Sequence, residues 1–266
     1  MVSIYTDLAQ GGLILFVAAS VSWLKSSGKT LPKSERTHVR CYVNKVSRRY
    51  LWLLPCFITT LLHADNYEAQ FNQWFAAQTN KQNWSADFTQ TRSLMALSQP
   101  LKSTGKVWVK PGQFRWELGQ PPQTIVVRNP NELLILYPRF KRAEIYALDK
   151  IPPGPIKDAM ALLDVSIPRD RATMEQHFQL LSATITNSIL QMTLQPKSQS
   201  ARQFIGAMVI GFHTNDYVIA LSQMNFSDGS TLRNDFHNVV FNQPMSPDLF
   251  STTVPPDYSV VEPMNP

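Results

Sequence analysis

The sequence predicts an α+β fold that is mostly β, in which a large antiparallel sheet curves into a barrel or half-barrel under a lid of short helices. Two patterns predict it: polar residues alternate with aromatic or β-branched ones after residue 85, and one stretch, residues 151–178, changes to helical spacing between prolines. A sheet of about ten strands cannot stay flat. The few short helices would cover only its mouth, as a lid.

The first half of the sequence after residue 64 has the pattern of one helix followed by about five strands. Tyr67, Phe71, Trp74, Phe75 and Gln78 recur at spacings of three and four, which gives one apolar helix face. The strand patterns that follow span residues 86–92, 102–113, 113–119, 123–128, 132–138 and 142–148. Residues 132–138, ELLILYP, are apolar at both alternating positions, so both faces of that strand should be covered.

The second half begins with two short helices and ends with about five strands. Ile156, Ala159, Met160 and Leu163 form a helical stripe. Pro155 suits a first helical turn, and Pro168 precedes the second helix. The strand patterns resume at residues 178–185, 188–196, 204–213, 217–227 and 230–241, with turn signals such as Asp228-Gly229 between them.

Residues 43–64 have the pattern of a secretory signal peptide. A basic pair at Arg48 and Arg49 precedes an apolar run, and a small residue, Ala64, precedes polar sequence. We therefore expect residues 1–42 to be an upstream extension and residues 65–266 to be an exported, mature domain. About 200 residues suit one domain with a substantial core.

The charge of the chain is concentrated before residue 65 and argues against nucleic-acid binding. Eight of the 25 lysines and arginines and two of the 19 acids lie there, which leaves 17 of each in the mature part. A sequence-independent grip on nucleic acid needs a cationic surface. We therefore expect no nucleic-acid partner.

Catalytic and metal-binding patterns are weak in the mature part. There is no Gly-x-Ser-x-Gly elbow, no glycine-rich phosphate loop, and both cysteines, Cys41 and Cys56, precede Ala64. His177, His213 and His237 are scattered, and no cluster has the ligand number of a metal site. We expect a non-enzymatic protein without a cofactor or a metal.

Large apolar side chains on the strands are the remaining candidates for function. These side chains either fill a core or face an apolar cavity, and periodicity alone does not distinguish the two possibilities. Methionine in particular is flexible enough to accommodate apolar ligands of irregular shape. The candidate cavity and lid residues are Phe88, Trp108, Phe114, Trp116, Tyr137, Ile156, Met160, Leu163, Met192 and Met208.

Four segments in order resemble the LolA family, the periplasmic carriers of outer-membrane lipoproteins in Gram-negative bacteria. They are ADFTQTR, PLKSTGKVWVKPGQFRWEL, QPPQTIVVRNPNELLILYP and SDGSTLRNDFHNVVFNQPMSPDLFSTTVPPDYSVV, within residues 66–262. Each segment is weak alone, and their order and spacing carry the resemblance.

The resemblance implies an unclosed, strongly bent antiparallel sheet, a half-barrel, around an apolar cavity with helices as a lid. It also implies the partners: lipoprotein acyl chains, an inner-membrane Lol ABC transporter that loads them, and an outer-membrane acceptor lipoprotein similar to LolB. We expect a periplasmic monomer. The resemblance also implies that a residue before a strand-end proline holds the lid closed, and in the family this residue is an arginine. Here Lys110 precedes Pro111, so the planar guanidinium of arginine, with its several N–H donors, is replaced by the point charge of a lysine ammonium.

Two other functions stay open at this point. One keeps the fold and changes the cargo, to free acyl lipids beside a lipid-synthesis pathway. The other is a lipid hydrolase that uses one of the three mature histidines.

Overall fold

The computed structural model of the chain describes residues 64–151, 157–158 and 170–263. These residues form two α-helices, α1 (Ala64–Gln78) and α2 (Arg171–His177), and one sheet of 12 strands. The strands are β1 (Trp84–Ser93), β2 (Leu101–Lys110), β3 (Gln113–Leu118), β4 (Thr124–Arg128), β5 (Glu132–Tyr137), β6 (Arg142–Ala147), β7 (Phe178–Thr186), β8 (Ile189–Pro196), β9 (Ile205–His213), β10 (Ile219–Phe226), β11 (Thr231–Phe241) and β12 (Ser259–Val261).

The sheet is unclosed, because its strand order is β12-β6-β5-β4-β3-β2-β1-β11-β10-β9-β8-β7 and the two end strands do not pair. All neighbours are antiparallel except β12, which runs parallel to β6. The predicted mostly-β fold class with a curved, unclosed antiparallel sheet is confirmed. The twelfth strand is an addition that the sequence patterns do not predict.

The sheet is strongly curved at its centre. Trp116 of β3 and Phe236 of β11 have ring centroids 6.4 Å apart, although β2 and β1 lie between their strands. In a flat sheet three strand spacings would separate them by roughly 14 Å. We call the concave surface on which they meet the inner face.

One glycine leaves space for an aromatic ring near this bend. Gly105 of β2 pairs with Phe88 of β1, and the Phe88 ring lies over it: an added Cβ would stand 2.3 Å from the ring carbon Cζ and 2.2 Å from the carbonyl oxygen of Glu117. The absence of a side chain at Gly105 therefore leaves room for an aromatic ring on the inner face.

Helix α1 packs on the inner face of the second half of the sheet. Phe71, Trp74 and Phe75 are buried, and the Trp74 ring stacks on Phe212 of β9 with centroids 4.8 Å apart and an interplanar angle of 8°. The predicted apolar helix face is confirmed.

Helix α2 begins where Asp170 caps it, because its carboxylate accepts a 2.7 Å bond from the Thr173 backbone N–H. It starts shortly after Pro168, as predicted. Its Met174 is buried in the same core as α1.

The C-terminal segment covers the outer face of β4–β6. Val254 and Tyr258 pack against Leu134, Leu136 and Ala143, and the chain then joins β6 as β12. Strand β5 is therefore buried on both faces, as its continuous apolar sequence predicts.

Candidate functional site

The inner face carries two buried apolar clusters. The larger one joins α1 and α2 to β1–β3 and β7–β11. The smaller one, which we call the β3–β6 cluster, comprises Val126, Leu133, Ile135, Tyr146 and Ile151, with Phe114, Trp116, Tyr137 and Leu148 packed against it. Trp116 packs against both, so the two clusters form one continuous apolar surface.

A row of aromatic rings runs along this surface at the bend of the sheet. Phe88 lies 4.2 Å from Trp116 between ring centroids, and Phe236 contacts both Trp116 and Trp84 edge-on, at 6.4 and 5.7 Å. Such edge-to-face pairs add to the energy of burial. The row fixes the shape of the concave surface.

The structure brings most of the candidate cavity residues to the inner face. Phe88, Met192 and Met208 are buried in the larger cluster, where α1 also packs. Phe114 and Tyr137 are half-buried against the β3–β6 cluster. The lid residues Ile156, Met160 and Leu163 lie outside the described residues.

Trp108 does not lie on the inner face, so the prediction that it lines the cavity is wrong. It pairs with Ser85 and Arg115, whereas its neighbours Val107 and Val109 pair with the inner-face residues Trp116 and Phe114. Because side chains alternate along a strand, Trp108 lies on the outer face, with the Lys106 ammonium 5.7 Å from its ring centroid.

Lys110, like Trp108, lies on the outer face by the alternation of side chains along its strand, and Pro111 follows it in the turn after the strand. The Lys110 ammonium lies 4.3 Å from the ring centroid of Phe250, in the C-terminal segment. Pro111 is exposed and lines an open cleft of about 610 Å³ together with Lys110, residues 78 and 79, and residues 81–83. The described contact of Lys110 is thus with the C-terminal segment.

Sequence reasoning missed a polar group on the inner face of β6. The Glu144 carboxylate is buried and accepts bonds from Arg142 Nη2 at 2.6 Å and from the Tyr146 hydroxyl at 2.9 Å. Burial first, and the Glu144 charge second, raise the pKa of Tyr137 and Tyr146 well above the ordinary value, so both hydroxyls stay protonated. The segment RAEIYA alone gives no local signal of which of its two faces is the inner one.

A second missed contact concerns the connection between β6 and β7. Asp158 accepts a 2.8 Å hydrogen bond from the Ser198 hydroxyl and another from Ser200, at the turn between β8 and β9. These hydroxyls lower the pKa of Asp158. The chain therefore leaves the β3–β6 cluster at Ile151 and reaches the opposite wall of the sheet by Asp158.

The candidate histidines do not meet. His177 ends α2, His213 ends β9, and His237 lies on β11, where an imidazole nitrogen is 3.5 Å from the Thr89 hydroxyl on the outer face. Across the described ranges, no three histidines, cysteines or acids stand close enough to hold a metal ion. Nor does any helix in those ranges combine the length and apolarity needed to span a bilayer.

The described residues thus form an unclosed, curved sheet whose apolar inner face carries helix α1. The family model for the outer membrane lipoprotein carrier protein LolA matches residues 79–253. The chain belongs to the LolA family.

Several solved structures resemble the chain at low sequence identity. An uncharacterized conserved protein from Thermus thermophilus is 12% identical, with a TM-score of 0.42 over 74% of this chain and 99% of that one. A LolA superfamily protein from Nitrosomonas europaea is 8% identical, with a TM-score of 0.37 over 69% and 96%. The Mycobacterium tuberculosis lipoprotein LppX is 7% identical, with a TM-score of 0.36 over 68% and 98%. No curated protein sequence matches the chain.

Proposed function

We propose that residues 65–266 form a periplasmic, non-enzymatic carrier that shelters the acyl chains of lipoproteins and moves them from the inner to the outer membrane. The observation that carries this proposal is the continuous apolar inner face of an unclosed sheet, in a member of the LolA family. An inner-membrane Lol ABC transporter would load the carrier, and an outer-membrane acceptor lipoprotein similar to LolB would unload it.

The energetics support a sheltering role. Each buried methylene contributes ~0.8 kcal/mol, so an acyl chain of about sixteen carbons gains up to roughly 12 kcal/mol when fully covered. In an aqueous compartment a free acyl chain has no apolar surface to cover it. Release without a nucleotide then has to follow a gradient of affinities, tenfold for each ~1.4 kcal/mol.

A displaceable cover would supply part of that gradient. The stripe of Ile156, Met160 and Leu163 lies in the connection that leaves the inner face at Ile151 and returns to it at Met174 of α2. In the proposal this stripe occupies the apolar surface in the empty carrier and yields it to cargo, which weakens net binding. Asp158, bonded to Ser198 and Ser200, anchors the connection at the far wall.

Mass spectrometry of the exported protein tests the proposal. We expect the protein recovered from the periplasm to begin at Asp65 and to carry triacylated protein that dissociates on denaturation. Co-purified free lipid would instead favour the LolA-like carrier of a lipid-synthesis pathway. A protein that retains its signal segment, or that carries no acylated molecule when expressed beside abundant lipoprotein, would contradict the proposal.

A further inference from the structure

The apolar wall of β5 and β6 is interrupted by one polar group at the end where β6 begins. Arg142, Glu144 and Tyr146 alternate along β6 and pair with Tyr137, Ile135 and Leu133 of β5. Since directly paired residues share a face, all six side chains lie on the inner face. We call Arg142, Glu144, Tyr146 and Tyr137 the inner polar cluster.

Exposure falls steeply along the inner polar cluster. The Arg142 side chain is 49% exposed, that of Glu144 is 10% exposed, and Tyr146 is 1% exposed. Tyr146 pairs with the buried Leu133, and Glu144 pairs with Ile135, whose other partner is Val126, so apolar side chains flank the buried members of the cluster. This order, from a charged rim to an apolar interior, is the polarity order of an amphiphile that enters with its acyl chain first.

The chemistry of the cluster offers both kinds of hydrogen bond at once. Among the described contacts, Arg142 uses one N–H on Glu144, so the guanidinium has further donors. The Glu144 carboxylate accepts one bond at each oxygen and has lone pairs left for another donor. Arg142 and Glu144 together are electrically neutral, so the cluster has no net charge to attract an ionic head.

Stability does not explain why these residues are charged. Replacing a buried ion pair by well-packed apolar residues is often neutral or stabilising, because desolvation offsets much of the attraction. A buried ionisable group in an apolar wall is instead a common mark of a functional site. The remaining inner-face residues of β5, Leu133 and Ile135, are fully buried and apolar.

We propose that the inner polar cluster binds the head of the acyl cargo, and that it selects an amide over an ester. An amide N–H donates to Glu144 while its carbonyl accepts from Arg142; an ester can only accept. A free carboxylate meets Arg142 together with the repulsion of Glu144. The inference rests on the proposed function, since it assumes that acyl chains occupy the inner face.

Two neutral probes that differ in one group test the selection: N-methylpalmitamide and methyl palmitate, with palmitate as a third. Each displaces a fluorescent acyl probe from the purified mature protein. We expect N-methylpalmitamide to bind about tenfold more tightly than methyl palmitate, because it makes one more hydrogen bond to a charged group. Palmitate should bind no more tightly than the amide.

The matched variant replaces the three cluster members that are joined by hydrogen bonds, so that none of the three is left without its partner. Arg142→Met, Glu144→Met and Tyr146→Phe together should keep the affinity for methyl palmitate and reduce the preference for the amide to less than about threefold. If that variant does not fold, Glu144→Gln serves in its place, since a neutral amide of the same shape should lower the preference in the same direction.

The possible outcomes distinguish a failure of the proposed head site from a failure of the proposed carrier function. Equal binding of amide and ester by the unaltered protein, a preference that survives the substitutions, or tighter binding of palmitate than of the amide would each overturn the head site and leave the carrier intact. Failure of all three probes to displace the acyl probe, or of that probe to bind, would overturn the carrier proposal itself.

Discussion

Replacing Trp74 by alanine is expected to lower the free energy of unfolding by about 3–5 kcal/mol. Trp74 is 1% exposed, stacks on Phe212 of β9 and touches Phe75 beside it. The substitution removes the main contact between α1 and the inner face and leaves a cavity between them. Urea unfolding followed by far-ultraviolet circular dichroism measures the change.

Trp108→Ala is the matched control, since it removes the same side chain from the outer face. There Trp108 is half-buried and its ring contact is with the exposed Lys106. We expect a loss of about 1 kcal/mol or less, the range of an exposed cation–π contact. Losses of equal size at the two tryptophans would contradict the assignment of Trp74 to the inner face and Trp108 to the outer one.

Gly105→Ala is expected to destabilise the protein by about 3 kcal/mol, the upper part of the range for overpacked sites. A Cβ there would meet the Phe88 ring on one side and the backbone oxygen of Glu117 on the other, at 2.3 and 2.2 Å. The ring cannot move far, because it packs on Trp116 at 4.2 Å. Thermal unfolding should show a clear drop in Tm.

Gly206→Ala provides the comparison for a strand glycine with room around it. Its added Cβ would stand 3.5 Å from the nearest atom, the backbone oxygen of Asn225, which is an ordinary contact. We expect its stability to stay within about 0.5 kcal/mol of the unaltered protein, as for surface changes that create no strain. A Gly105→Ala protein as stable as Gly206→Ala would contradict the close packing of the Phe88 ring over Gly105.

The strand pattern was predictable because each strand buries one face. In β3 the alternation separates Phe114 and Trp116, which pack inward, from Arg115 and Glu117, which form a 2.6 Å ion pair on the other side. The uninterrupted apolar run of β5 likewise predicts cover on both faces, and Val254 and Tyr258 supply it on the outside. Local composition decides these features.

Features that depend on register between distant segments were not predictable from one sequence. Trp108 has the composition of a cavity residue, and only its pairing with Ser85 and Arg115 places it outside. The pairing of β12 with β6 joins residues more than 110 positions apart. Strand β12 has three residues, too few for a periodic signal.

The polar contacts of the site were missed for a related reason. Glu144 reads as a surface residue in RAEIYA, since nothing local shows that its face of β6 is the inner one. Asp158 meets Ser198 and Ser200 only after the chain has passed from one wall of the sheet to the other. Both contacts follow from the curvature rather than from any motif.

Photo-crosslinking from opposite faces of the sheet tests the central claim most directly. Protein with p-benzoylphenylalanine in place of Phe114, on the inner face, is compared with protein that carries it in place of Trp108, on the outer face. With radiolabelled acyl chains on lipoprotein cargo, we predict a crosslink to the acyl chain from position 114 and none from position 108. Crosslinks of equal yield from both positions, or from position 108 alone, would contradict binding on the inner face.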